Sequence, residues 1–482
     1  MNGEKTTAVE RSVARKIGGA ITRLFMWLSG LLPKRFKQIT MLALPYQVAA
    51  VITVFIAIGY TILFNYAEKI QLFMLGLHPD WIFITAPVCF LASWWMVRTF
   101  APFAGGSGIP QLIAAVEIAD EGPRDRSWRF LNPRIILVKI ASSLAMALGG
   151  GAVGREGPTL QIAGSVFRAV HQYLPSFWPK IQRRMMIVAG GAAGLSAAFN
   201  TPLGGIVFVI EELTKTHIAQ FRTAVFASVI IAGMTAQALL GSYFGGELLY
   251  PKLGIVGGSF MYKVLLISLP CGLLGAIFCK VLLATDKFRR GLKKRWAQIA
   301  MAVGCALAFA TCVHFLGQRA LGSGGHFMAG YLFSADQPDP SWKDVVARIL
   351  GPLFTASAGG AGGIFGPSLA SGAAIGGWVA QWFEPSRGEF NVLVLCGMTA
   401  FLTGTSRSPF TCAILVLEMT DRHSIILQLM YAAMVAFLIS QTIDKRGYYE
   451  RMKHRLLNTL PEWKGWRHAP TETDDQSVPG LG

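Results

Sequence analysis

Residues 154–158 read Gly-Arg-Glu-Gly-Pro and residues 363–367 read Gly-Ile-Phe-Gly-Pro, two glycine-proline turns inside apolar sequence, about two hundred residues apart. Some forty residues after each comes a second matching stretch. Pro202-Leu-Gly-Gly-Ile-Val-Phe-Val-Ile-Glu211 aligns without gaps on Pro409-Phe-Thr-Cys-Ala-Ile-Leu-Val-Leu-Glu418, and Gly190 falls on Gly397. The chain reads as duplicated, with its helix breakers at corresponding places. In apolar sequence that pattern points to a binding site near the bilayer midplane, built from interrupted helices.

The surrounding sequence is too apolar for a soluble protein. It is 53% hydrophobic and 15% charged, against about 25% charged in soluble domains. The uncharged runs Gln38–Ala67, Ile187–Ile210, Thr223–Gly246, Ala297–Gln318, Ile349–Phe383 and Ser424–Ile443 each reach the roughly 20 residues a spanning helix needs. Trp81–Val97 and Val264–Cys279 are shorter and suit short or tilted helices.

A formal charge of +18 invites a nucleic-acid partner, but its placement argues against one. The basic clusters at Lys34–Lys37, Lys287–Arg295 and Lys445–Arg455 each flank an apolar run. That is the positive-inside pattern, and it places both termini and the central loop in the cytoplasm. Residues 1–37 read as a basic interfacial N-terminal helix, 38–455 as one membrane domain with halves of about 38–252 and 253–455, and 456–482 as a disordered cytoplasmic tail. The seven cysteines lie in apolar segments without metal-ligand spacing, so neither a metal nor a disulfide framework is expected.

Three glycine-rich breaks carry the chemistry: Gly106-Ser-Gly-Ile-Pro110, Gly154-Arg-Glu-Gly-Pro158 and Gly363-Ile-Phe-Gly-Pro367. Proline suits a first helical turn, so each reads as a helix N-terminus with N–H groups open to an anion. An isolated ion in low dielectric costs tens of kcal/mol, whereas one N-terminus returns about 0.3–2 kcal/mol. Several must converge. Glu156, at one such terminus, can occupy the anion site itself until the anion displaces it or a proton neutralises it.

These three motifs, in this order and spacing, resemble the signature of the CLC family of chloride channels and chloride/proton exchangers. The likeness extends over Phe199-Asn-Thr-Pro202, Glu211-Glu212 and Leu417-Glu-Met-Thr-Asp421. It implies an all-α integral membrane protein with a CLC-type inverted repeat of about 17–18 tilted and broken helices. It also implies a homodimer with a pore in each subunit, and a bacterial type without a nucleotide-sensing tail. Residue by residue, it places central chloride binding on Ser107, Tyr449 and the backbone of Ile364 and Phe365. The outer anion site falls on the backbone of Arg155 and Gly157, the gate and external proton glutamate on Glu156, and the internal proton glutamate on Glu212. Lys139 matches a lysine thought to tune the pore field. Gln111 and Ile113 stand where well-studied bacterial exchangers often carry acids, although Glu117 is present.

The expected function is chloride/proton antiport; the alternative is a passive, voltage- or pH-gated chloride channel. Glu212 separates them, since channels of the family typically carry an apolar residue there. Glu211-Glu212 could serve an enzyme as acid and base, but nothing supplies a nucleophile or metal. No enzyme activity and no cofactor beyond chloride ions in the pore are expected. The partners are chloride, protons, the lipid bilayer and a second copy of the chain, in a bacterial inner membrane.

Overall fold

The glycine-proline turns interrupt helices where the sequence places them. The computed structural model describes residues 34–119, 125–175, 178–214, 222–240, 258–333, 339–420 and 423–460. Among these there is no strand. The first half holds α1 (Lys34–Leu77), α2 (Ile82–Phe100), α3 (Ile109–Ile118), α4 (Pro133–Leu148), α5 (Glu156–Gln172), α6 (Arg183–Phe199), α7 (Pro202–Phe208) and α8 (Arg222–Leu240). The second holds α9 (Gly258–Gly291), α10 (Arg295–Leu316), α11 (Gly325–Phe333), α12 (Trp342–Ser357), α13 (Phe365–Ala380), α14 (Arg387–Ser406), α15 (Pro409–Met419) and α16 (Ile426–Ile443). A last helix, α17 (Tyr448–Leu457), follows both.

The helices of the first half are 44, 19, 10, 16, 17, 17, 7 and 19 residues long. Those of the second are 34, 22, 9, 16, 16, 20, 11 and 18. The shared order of lengths pairs α1 with α9 and so on to α8 with α16. Packing repeats as well: α1 lies on α6 and α8, and α9 lies on α14 and α16. Gly190 and Gly397 have equivalent places. A Cβ on Gly190 would lie 3.0 Å from Phe167 Cβ on α5, and one on Gly397 would lie 2.9 Å from Gly376 Cα on α13. Small residues allow this close approach of helices within a membrane.

The halves are related by a two-fold axis. Gly154 N–H donates to Gly363 O (2.7 Å), and Gly363 N–H donates to Gly154 O (2.8 Å). Glu211, beyond α7, accepts from the N–H groups of Phe410 (3.2 Å) and Thr411 (2.7 Å) at the start of α15. Glu418, near the end of α15, accepts from Leu203 (3.0 Å) and Gly204 (2.9 Å) at the start of α7. Reciprocal contacts are what a two-fold produces, and an inverted repeat places that axis in the membrane plane. Each carboxylate satisfies orphan N–H groups at the positive end of its partner helix.

Among the described residues, six helices are long and apolar enough to cross a membrane, the first of them Thr40–Leu77. At 44 residues, α1 is about 66 Å long, twice a hydrocarbon core of about 30 Å, so it tilts or projects. Two apolar runs do not form single helices. Ile187–Ile210 breaks at Asn200, in the left-handed region with φ 58°, and Ile349–Phe383 divides between α12 and α13. Val264–Cys279, which suits a short or tilted helix, proves to be part of a long one. It lies inside the 34-residue α9, because the charges that end the run do not end the helix. Asp286 pairs with Arg289 and Arg290, each at 2.9 Å, in the last turns. The proposed interfacial helix up to residue 33, the junction near Gly254 and the tail from residue 461 lie outside the described residues; residues 456 and 457, read as the start of that tail, instead finish α17 with both leucines buried.

Candidate anion-binding and proton-transfer site

Each break opens a helix. Gly106 and Gly108 take φ values of 67° and 103°, which glycine adopts without steric cost, and α3 begins directly after them. Glu156 is the first residue of α5, and Phe365 the first of α13. The three N-termini converge. Gly106 N–H donates to Gly360 O (2.9 Å) and Gly362 N–H donates to Gly106 O (3.1 Å). A Cβ on Gly108 would lie 2.7 Å from Gly157 O, and one on Gly157 would lie 2.7 Å from Ser107 O. No side chain larger than hydrogen fits between these turns. Ser107, the Arg155–Gly157 turn and Ile364–Phe365 are therefore brought together.

Ser107 is 4% exposed and Tyr449 2%. Neither hydroxyl has a hydrogen-bond partner among the described residues. A buried polar group without a partner costs about 1–3 kcal/mol, so both suit an anion that accepts from them. Tyr449 also lies within electrostatic reach of Glu212 and Glu156. Its neighbour Tyr448 instead lines a cavity with Ser107, Asp286 and Arg289. Lys139, fully buried on α4, donates to Ala104 O (2.8 Å) and Gly106 O (2.7 Å). It thereby props the Ser107 loop from behind. Gln111 serves the same loop, donating to Gly105 O at 2.6 Å.

Glu156 is 1% exposed. Its carboxylate rests against the start of α13: a Cβ on Gly366 would lie 3.1 Å and 3.2 Å from its two oxygens. A side chain from the first half thus occupies the positive end of a helix from the second. Arg155 turns elsewhere, donating from Nη1 to Asn65 Oδ1 at 2.9 Å. Glu212 stands apart, on the π-helical turn Val209–Thr214 that follows α7. It is buried and accepts from Ser408 Oγ, the residue just before α15. Ser408 was not read from the sequence, although serine directly before a helix-opening proline is a legible N-cap pattern. Glu212 also lines a cavity with Ile113, Glu117, Arg184 and Lys453, in which Lys453 Nζ pairs with Glu117 at 2.7 Å.

Comparison with known proteins bears on this arrangement. The chain is 29% identical to the H(+)/Cl(-) exchange transporter ClcA of Citrobacter koseri, over 95% of this chain and 96% of that protein. It is 30% identical to the transporter of the same name from Yersinia pestis bv. Antiqua, over 88% and 90%. The fold resembles that of a slow cyanobacterial Cl-/H+ antiporter, with a TM-score of 0.74 at 22% identity, covering 87% of this chain and 99% of that one. It also resembles a CLC-type fluoride/proton antiporter, with a TM-score of 0.70 at 18% identity, covering 87% and 98%. Residues 88–441 match the model of the voltage gated chloride channel family. With its inverted repeat and its three converging helix N-termini, the chain belongs to that family, the CLC proteins.

Proposed function

We propose that this protein exchanges chloride for protons across a membrane, with Glu156 as gate and outer proton carrier and Glu212 as inner proton carrier. The observation that carries this reading is the Glu156 carboxylate at the N-terminus of α13. Carboxylate and chloride compete there for one region of positive potential. A proton on Glu156 removes its claim, so one residue couples the two ions. Chloride is cargo, held at the centre by Ser107, Tyr449 and the N–H groups of Ile364 and Phe365, and further out by the Arg155–Gly157 backbone.

Two cavities support separate inner routes. One reaches Ser107 and the other reaches Glu212, and they share no lining residue. Helix α17 stands between them: Tyr448 and Met452 face the first, Glu450 and Lys453 the second. The relatives named as H(+)/Cl(-) exchange transporters point the same way.

The remaining features belong to the same proposal. Transport involves no enzymatic step and no cofactor. The protein works as a homodimer in a bacterial inner membrane, with both termini cytoplasmic and the transport domain over about 38–455. Large apolar side chains stand exposed on α7, α8, α15 and α16, among them Leu203, Met234, Phe410 and Leu427. That face suits a second subunit. The test is purified protein in liposomes with chloride and proton flux recorded together. Uphill proton movement driven by a chloride gradient is expected. Chloride flux without proton movement would mean a passive channel, and no flux of either would end the reading.

A further inference from the structure

The second half repeats the Ser107 loop, at a place the transport reading does not use. Adding 209 to a residue number takes Gly154 to Gly363, Pro158 to Pro367, and Lys139 on α4 to Arg348 on α12. Lys139 donates to Gly106 O; Arg348 Nη1 donates to Gly322 O at 3.3 Å. Gly322-Ser323-Gly324 leads into α11 as Gly106-Ser107-Gly108 leads into α3. The backbones agree, with φ 67° and 103° in the first loop and 64° and 93° in the second. Their anchors agree as well: Gly106 N–H donates to Gly360 O (2.9 Å), and Gly322 N–H donates to Gly150 O (3.1 Å). A Gly-Ser-Gly loop backed by a buried base therefore occurs twice, and the inverted two-fold puts the second copy on the opposite membrane face.

Backbone symmetry does not require the second copy to keep a buried cation. Arg348 is 2% exposed, yet its Nε has no hydrogen-bond partner among the described residues. Its guanidinium lies 4.7 Å from the Phe327 ring centroid. It lines a cavity of about 290 Å³ with Glu68, Arg319, Ser323, Gly324 and His326. Arg319 is committed to Asp344 through bonds of 2.7 and 2.9 Å, which leaves Arg348 as the buried donor. The opening turn of α11 adds N–H groups without intrahelical acceptors. One carboxylate already uses this loop: Glu68 Oε1 accepts from Ser323 N–H at 2.7 Å.

We propose that the Gly322–His326 loop and Arg348 form a second anion site, on the face opposite the Ser107 loop, which takes a small inorganic monoanion such as chloride in competition with the Glu68 carboxylate. Asn65 and Glu68 stand one turn apart on α1, on one helix face. Asn65 holds Arg155 of the pore turn, and Glu68 holds the second loop. An anion leaving this site arrives beside the outer pore turn. That delivery rests on the transport reading; binding at the site does not.

The probe is bromide, located by anomalous diffraction from crystals of the full chain, with bromide in the pore as internal reference. Density in the cavity beside the Arg348 guanidinium is expected, stronger in Glu68→Gln, absent in Arg348→Gln and restored in part by Arg348→Lys, the base of the first loop. Pore bromide without density beside residue 348 in Glu68→Gln overturns the site while sparing the transport reading. Bromide missing from both places counts against both. Density unaltered by Arg348→Gln also overturns the site as built. In liposomes, Arg348→Gln should raise the half-saturating chloride on that face about tenfold, the scale of one charged hydrogen bond. Density with no such rise would mean an adventitious ion only. If Arg348→Gln does not fold, Glu68→Gln and Arg348→Lys still decide the matter, because both keep a cation at residue 348.

Discussion

Glu211 and Glu418 do the same thing in the two halves, whereas the residues that follow them, Glu212 and Met419, do not. Glu211 caps α15, which carries Glu418, and Glu418 caps α7, whose following turn carries Glu211. In the second pair, Glu212 sits on a π-helical turn and accepts from Ser408, while Met419 simply ends α15. The breaks at α5 and α13 contrast in the same way, with Glu156 facing Phe365 across the axis. Symmetry is kept where helix ends need satisfied N–H groups, and is lost where an ionisable group is buried within the membrane protein. Such groups are costly unless they serve a function.

The largest effects should come from erasing the asymmetric residues. Glu156→Gln should leave chloride flux that no longer responds to pH and moves no protons. Proton pumping at the parent rate in that variant would break the comparison. Glu212→Met makes the first half like the second, and should abolish proton uptake while chloride flux persists. The check is uphill proton movement in liposomes under a chloride gradient. Tyr449→Phe removes one hydroxyl from the centre. It should cut central bromide occupancy several-fold, the scale of one hydrogen bond, whereas Tyr448→Phe should leave it near the parent level. A reversed pattern of bromide density would show that Tyr448 is the ligand.

The symmetric pair should give smaller and matched effects. Glu211→Gln and Glu418→Gln should each destabilise by about 1–2 kcal/mol, since each weakens charge-assisted bonds to a helix N-terminus. Thermal unfolding in detergent measures this, and a cost confined to one variant would show that the caps are not equivalent.

The smallest effect concerns α17, which has no counterpart in the repeat. Burial by itself would raise the Asp444 carboxyl, but hydrogen bonds from Arg451 and the Arg446 N–H, with the charges of Arg451 and Arg407, hold it below the usual carboxylate range. A depressed folded-state value adds stability above the unfolded value of about 3.9, which is lost as pH falls through the folded value. Loosening of α17 is therefore expected only below about pH 4, and Asp444→Asn should remove that pH dependence. Hydrogen exchange of the α17 amides across this range reports it.

How much of the molecule was legible depends on the range of the interaction. The duplication, the three helix starts and the membrane class follow from local rules: glycine and proline break helices, and apolar runs of about 20 residues span bilayers. The run Val264–Cys279 misled because the charges that bound it, Lys263 and Lys280, do not end the helix, which continues to Gly291. The second Gly-Ser-Gly loop stood in the sequence at 322–324, but without its proline it did not resemble a break.

By itself the sequence determined a duplicated, helical membrane chain with Glu156, Ser107 and Phe365 at helix starts, and its family resemblance implied that the repeat is inverted. Only the tertiary structure decided which helix end each carboxylate meets: Glu156 the start of α13, Glu211 that of α15 and Glu418 that of α7. The partners of Glu156, Glu211 and Glu418 lie some two hundred residues away along the chain. Periodicity reports which face of an element is buried, but not what is buried against it. That second choice is made when the two halves close around their axis and the positive ends of broken helices must find negative charge.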